Sequence, residues 1–249
     1  MKTRNILAFL LLLVAGVQTA LAQKMVVTLS DESKVRYSIS QVKDITFEET
    51  EDREYVDLGL PSGTLWATCN IGASKPEEYG DHFAWGETQP KSEYNWGTYK
   101  WCKGSEDTMT KYCTKSEYGY NGFADGKTEL EAADDAATAN WGSDWQMPSF
   151  EQFKELINND YTTMEWMTQG KVPGWRITSI VNGNTLFLPA AGYSYDTTLK
   201  SAGTLGGCWG RRMGGESTAT CLTFSSGYIR YNAAPYRFRG YSVRPVRKQ

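Results

Sequence analysis

The sequence predicts an α+β domain with long irregular loops, preceded by a small N-terminal β-hairpin unit. Short β-like runs recur along the chain, separated by turn residues at close intervals. Helical periodicity is confined to one strong and one weaker segment. The composition fits a core stapled by rings: 249 residues, 40% hydrophobic and 13% aromatic, with 24 Gly against 8 Pro. Disorder and collagen are excluded by this balance, with 29 acids against 26 bases.

The elements follow in chain order. Lys2 and Arg4 precede an apolar run from Ile6 to Val17, closed by Ala20-Leu21-Ala22. This is the layout of a secretory signal peptide, residues 1–22, cleaved after Ala22. About 12 apolar residues fall short of the roughly 20 that span a hydrocarbon core, and no later stretch is long enough. The expected location is secreted, periplasmic or cell-surface. Residues 23–50 read as a short β segment: Met25 to Leu29 and Val35 to Ile39 flank a polar turn as a hairpin, and Val42 to Phe47 adds a third run. The charged stretch from Glu48 to Glu54 marks residues 51–54 as a linker, with one domain over residues 55–249. A weak helix is expected from Glu129 to Asn140, where Ala is abundant. A strong one is expected from Phe150 to Asn158, where Ser149 and Gln152 form a capping-box pair. Trp175 to Ile180 and Thr185 to Leu188 flank Asn182-Gly183, the mark of a tight hairpin.

Four ordered strings carry a resemblance: YVDLGLPSGTLWATCNIGASKPEEYGDHFAWGE from Tyr55, WGSDWQMPSFEQFKELI, NGNTLFLPAAGY, and GYSVRPV at the end. Together they resemble the Fibrobacter succinogenes major paralogous domain family of secreted Bacteroidetes proteins, over Tyr55 to Val246. The resemblance implies a C-type-lectin-like fold of the kind shared with formylglycine-generating enzymes. Trp145 and Met147 would then lead into the capped helix, and Val243 and Val246 would face inward from the last strand. Gln146 stands where the family carries Arg, which removes any ion pair made there. The C-terminal region also resembles the variable region of target proteins of diversity-generating retroelements, which display changeable residues to ligands.

Chemistry is constrained by scarcity. A single His82 cannot build a multi-histidine zinc site, and any Ser/His/Asp or Cys/His system would have to use it. Five cysteines in an oxidising compartment suggest Cys102 with Cys113 and Cys208 with Cys221 as disulfides, Cys69 being left over. The alternative is that all five are buried thiols. The relatives that generate formylglycine hold copper on a closely spaced Cys pair; Cys208 and Cys221 are too far apart in sequence to match it. Calcium at Asp125, Glu129, Glu131, Asp134 and Asp135 would require a loop to fold these acids inward, against a solvated helix face as the simpler fate. No catalytic residue, metal or cofactor is assigned, and the chain reads as a non-enzyme.

Charge is segregated. Residues 201–249 carry seven Arg and one Lys against Glu216 alone, whereas residues 23–200 carry 16 bases against 28 acids. This basic, aromatic end interleaves the residue types enriched at recognition hot spots. Trp209, Arg211, Arg212, Tyr228, Arg230, Tyr231, Asn232, Tyr236, Arg237 and Arg239 are the candidate ligand contacts. Trp66, Trp85, Trp96, Trp101 and Trp141 read as core or loop staples. The expected partner is a protein or glycan, with no nucleic acid because the body is acidic and the chain exported. A structural subunit of the cell surface and a copper-dependent oxidase are the rival classes.

Overall fold

The computed structural model describes residues 24–28, 33–43 and 53–247. The expected signal peptide, most of the third N-terminal run and half of the linker lie outside these residues. The chain divides into two units, Met1–Thr50 and Glu51–Gln249.

In the first unit, β1 (Lys24–Thr28) and β2 (Lys34–Ser38) pair antiparallel. The register sets Met25 opposite Tyr37 and Val27 opposite Val35. Alternation therefore gathers these apolar residues on one face and Lys24, Arg36 and Lys34 on the other. Val27, Val35 and Tyr37 are exposed there.

The second unit is β-dominated. Its strands form a four-stranded sheet of β3 (Tyr55–Asp57), β4 (Leu65–Ala67), β14 (Val246–Arg247) and β5 (Trp145–Gln146), in that order. A second sheet joins β6 (Thr162–Gln169), β7 (Val172–Ser179) and β8 (Thr185–Pro189). A third joins β11 (Leu205–Gly215), β12 (Thr218–Ser225) and β13 (Tyr228–Ala233), and β9 (Tyr193–Tyr195) pairs with β10 (Thr198–Lys200). All these pairings are antiparallel. Helix is confined to α1 (Ala136–Trp141), α2 (Phe150–Leu156) and short 3-10 turns among the described residues.

This corrects the expected α+β, C-type-lectin-like architecture: the unit is a set of small antiparallel sheets with two helices of six and seven residues. The physical reasons are local. Glu129 and Leu130 are drawn into extended pairing with β11, where Leu130 N–H donates to Arg211 O at 2.9 Å and Glu129 bridges Arg212. Asp135 then caps α1 by accepting from Ala137 and Thr138 N–H, so the helix starts late. Gly142 ends it at φ 91°. The expected twelve-residue helix shrinks to half, while Thr162–Gln169, not read as a strand, pairs along its whole length with β7. The second helix keeps its reciprocal capping box of Ser149 and Gln152. The Asn182-Gly183 hairpin forms with Thr178 opposite Thr185.

The β11–β12 pair is buried on both faces. Trp209, Ala219 and Cys221 enter one core with Trp85, Tyr112 and Val243, while Cys208, Leu222 and Phe224 enter another with Trp66, Phe153 and Val246. The approach is so close that a Cβ on Gly206 would lie 2.1 Å from the Phe224 ring. Residues 68–135 carry no strand or α-helix beyond isolated bridges and 3-10 turns, and aromatic tips hold them in place. Trp85 Nε1–H donates to Gly210 O at 2.9 Å, Tyr99 O–H to Trp85 O at 2.9 Å and Trp101 Nε1–H to Gly86 O at 2.8 Å. These rings thus meet the polar demands of loop carbonyls at Trp85 and Gly86 and of Gly210 in the irregular stretch of β11.

Candidate functional site

The candidate contacts split between core and surface. Trp209 is fully buried, its indole N–H donating to Phe83 O at 2.7 Å and its ring edge-on to Tyr241 at 5.0 Å. Arg237 is fully buried as well, its guanidinium 4.9 Å from the centre of the Trp85 ring and donating to Gly215 O at 3.1 Å and Thr218 O at 3.4 Å. Both are corrected from contacts to core residues. The cause for Arg237 is backbone geometry: residues 236–239 form a turn closed by Arg239 N–H donating to Tyr236 O at 3.1 Å. A turn breaks the alternation that a strand would impose, so Arg237 and Phe238 go in together while Tyr236 and Arg239 face outward.

The remaining eight do not form one patch. Arg211 pairs with Glu129 at 3.6 Å and donates to Gln146 Oε1 at 2.9 Å, so the glutamine expected to lose an ion pair keeps a hydrogen bond to arginine. Arg212 and Asn232 border a depression of about 400 Å³ beside Phe150. Arg230 lies over the Tyr228 ring at 4.8 Å near the β12–β13 turn, and Tyr231 packs edge-on to Phe150 at 5.1 Å.

Tyr236 and Arg239 belong to a different constellation. They line an open groove of about 340 Å³ with Trp96, Tyr195, Phe238 and Glu106. Trp96 meets Tyr236 at 5.7 Å and Phe238 at 4.8 Å, both edge-on, and Tyr236 stacks on Phe238 with ring planes 17° apart. The Arg239 guanidinium lies 5.2 Å from the Tyr193 ring, 5.8 Å from Tyr195 and 5.9 Å from Tyr236. Tyr195 and Tyr236 are 37% and 39% exposed, whereas Phe238 is the buried floor at 4%. Sequence reading missed Trp96, taken only as a staple, and Tyr195 altogether. Trp96 lies in the sheetless 68–135 segment and Tyr195 in a three-residue strand, where neither period marks a surface.

Other chemistries do not assemble. Cys208 stands opposite Leu222 and Cys221 opposite Trp209, so alternation sends the two thiols to opposite faces of the sheet. They neither form the expected disulfide nor suit a two-sulfur copper site. Cys102 Sγ donates to Trp96 O at 3.2 Å and Cys113 Sγ to Lys115 O at 3.1 Å, and all five cysteines are free. Burial raises every thiol, Cys208 to about 11, which leaves them protonated at neutral pH. The acids offered for calcium are spent elsewhere. Asp125 accepts from Tyr112 and Cys113 N–H, Asp134 from Tyr112 O–H and Lys111, and Asp135 from three backbone N–H groups. Asp134 and Asp135 are buried, so the solvated helix face expected for this stretch is also corrected.

His82 hydrogen-bonds through Nδ1 with Ser194 Oγ at 2.9 Å, and its Nε2 is buried without a partner among the described residues. With no carboxylate on Nε2, the pair does not complete a triad. Burial pushes the imidazole down to about 4 from an ordinary value of 6.5. The unfolded chain therefore takes up a proton more readily than the folded one. Stability from this residue is full above about pH 6.5 and drains away as pH falls toward 4. Between pH 7 and pH 5 the wild type is expected to lose about 2 kcal/mol more than His82→Gln, read from urea unfolding at both pH values. Equal losses would show that His82 is solvated.

No family model, curated protein or solved structure matches the chain. No helix among the described residues is long and apolar enough to cross a membrane. The site therefore has to be read from its own geometry.

Proposed function

We propose that the chain is a secreted or cell-surface, non-catalytic binding module whose protein or glycan ligand sits in the Trp96–Tyr195–Tyr236–Arg239 groove. The export reading rests on the N-terminal charge and apolar pattern. One observation carries the binding reading: the half-buried Tyr193 ring and the exposed Tyr195 and Tyr236 rings surround a guanidinium that pairs with no carboxylate among the described residues. Such an arrangement leaves binding capacity unspent, because rigid rings bury area at little entropic cost and an arginine with no carboxylate partner keeps its charge available. Compared with the ten candidate contacts, the reading keeps Tyr236 and Arg239, adds Trp96 and Tyr195, and releases Trp209 and Arg237 to the core.

The test is an array of immobilised glycans and peptides probed with the full chain. Tyr236→Ala and Trp96→Ala are expected to lose the wild-type signals at least about tenfold, as hot-spot truncation does. Arg212→Ala, in the depression beside Phe150, should retain them. Signals kept by both groove variants and lost by Arg212→Ala would move the site to that depression.

A further inference from the structure

We propose that the groove takes a uronate-bearing glycan, with Arg239 pairing the sugar carboxylate and Trp96, Tyr195 and Tyr236 packing against the sugar rings. This rests on the binding-module reading and names its ligand class.

The first support is how the tail spends its other cations. Arg211 and Arg247 pair with Glu129 and Asp144, Arg237 donates to two carbonyls, and Arg244 donates to Asn70 Oδ1 at 2.8 Å and to Ala67 and Thr68 O. Arg239 differs. Tyrosine rings surround it, no carboxylate pairs with it among the described residues, and its Nε is buried without a hydrogen bond. The buried Tyr241 hydroxyl is a hydrogen-bond neighbour of this guanidinium, but one neutral oxygen leaves its charge uncompensated, and the planar fork is matched in shape and charge by a carboxylate.

The second support is the polar tips of the rings. Among the described residues, neither the Trp96 indole N–H nor the Tyr195 and Tyr236 hydroxyls bond to any protein group, in contrast to Trp85, Trp101, Trp209, Tyr94 and Tyr99. Rings with an apolar face and an unspent polar tip suit a partner that alternates apolar and polar surface over the same distance. A sugar ring does this, with C–H faces and a hydroxyl edge.

Size decides against a folded protein. A groove of about 340 Å³ holds a small ligand or one or two units of a chain. A stable protein interface needs about 800 Å² from each side. Glu106 at the rim is exposed and has no ion-pair partner among the described residues. It opposes an anionic ligand and so provides a separate lever.

The experiment is calorimetric titration of the full chain with trigalacturonate and with its carboxyl-reduced, neutral counterpart. The acid is expected to bind at least about tenfold more tightly, a preference that fades with added salt. Arg239→Gln should bring the two ligands to equal affinity, Tyr236→Ala should weaken both, and Glu106→Gln should tighten the acid alone. Thermal unfolding of Arg239→Gln and Glu106→Gln should match the wild type, and Tyr236→Ala, which loses its ring contacts to Phe238 and Trp96, should still melt cooperatively above the titration temperature. Equal binding of both ligands by the wild type would overturn the carboxylate assignment. Absence of binding to either, with array signals still dependent on Tyr236, would overturn the glycan assignment and leave the groove standing. Binding that survives both Tyr236→Ala and Arg239→Gln would overturn the groove itself.

Discussion

Arg237→Glu is expected to lower the unfolding midpoint by at least about 10 °C, and to do so whether or not a ligand is present. The guanidinium is wholly enclosed and serves as a donor to Gly215 and Thr218 O, where β11 gives way to β12. Replacing it with a carboxylate leaves two part-buried carbonyls facing a negative group, and each lost charge-assisted bond costs about 1.5–3 kcal/mol. Glu216 lies close enough to influence Arg237 electrostatically, so the new charge would also meet a like one. Burial already lowers the Arg237 pKa below the ordinary arginine value, a sign of how poorly this enclosure solvates charge. Arg237→Met keeps much of the stem over Trp85 without a buried anion and should cost less. Circular dichroism melts separate these outcomes. A Glu variant melting with the wild type would place Arg237 at the surface.

Trp209→Ala is expected to cost about 3–5 kcal/mol, the range for truncating a large buried ring. The indole fills the core between Phe83 and Tyr241 and bonds the Phe83 carbonyl. Alanine would open a cavity and strand that acceptor, and Phe83 and Tyr241 already bridge each other's backbone, so neither can collapse inward cheaply. Trp209→Phe keeps most of the volume and loses only the hydrogen bond, so its cost should be clearly smaller. Chemical denaturation read as a midpoint shift at constant slope would measure both. A small loss for Trp209→Ala would mean that the ring is not packed between those neighbours.

The parts of the fold legible in the sequence were those governed by local rules. The capping box of Ser149 and Gln152, the Asn182-Gly183 hairpin and the β1–β2 alternation each depend on residues within one or two turns of chain. What escaped was set by distant partners. Glu129 and Leu130 look helical alone but pair with β11 some 80 residues on. Val246 is held between Trp66 and Gln146, which no local pattern announces. The same division governs the site. The basic, aromatic character of residues 236–239 was visible, but which side chains face outward depends on the turn that Tyr236 and Arg239 close. Trp96 and Tyr195 joined them only through the path of the loops.

The most direct measurement follows the tryptophan indole N–H resonances of the full chain as trigalacturonate is added, with Trp96 assigned from Trp96→Phe. The groove predicts that the Trp96 signal moves, because its N–H has no acceptor among the described residues, while Trp85 and Trp209, locked onto Gly210 and Phe83 carbonyls, stay in place. Movement of the Trp166 or Trp175 signals on the β6–β7 sheet with Trp96 unmoved, or no movement at saturating ligand, would contradict it.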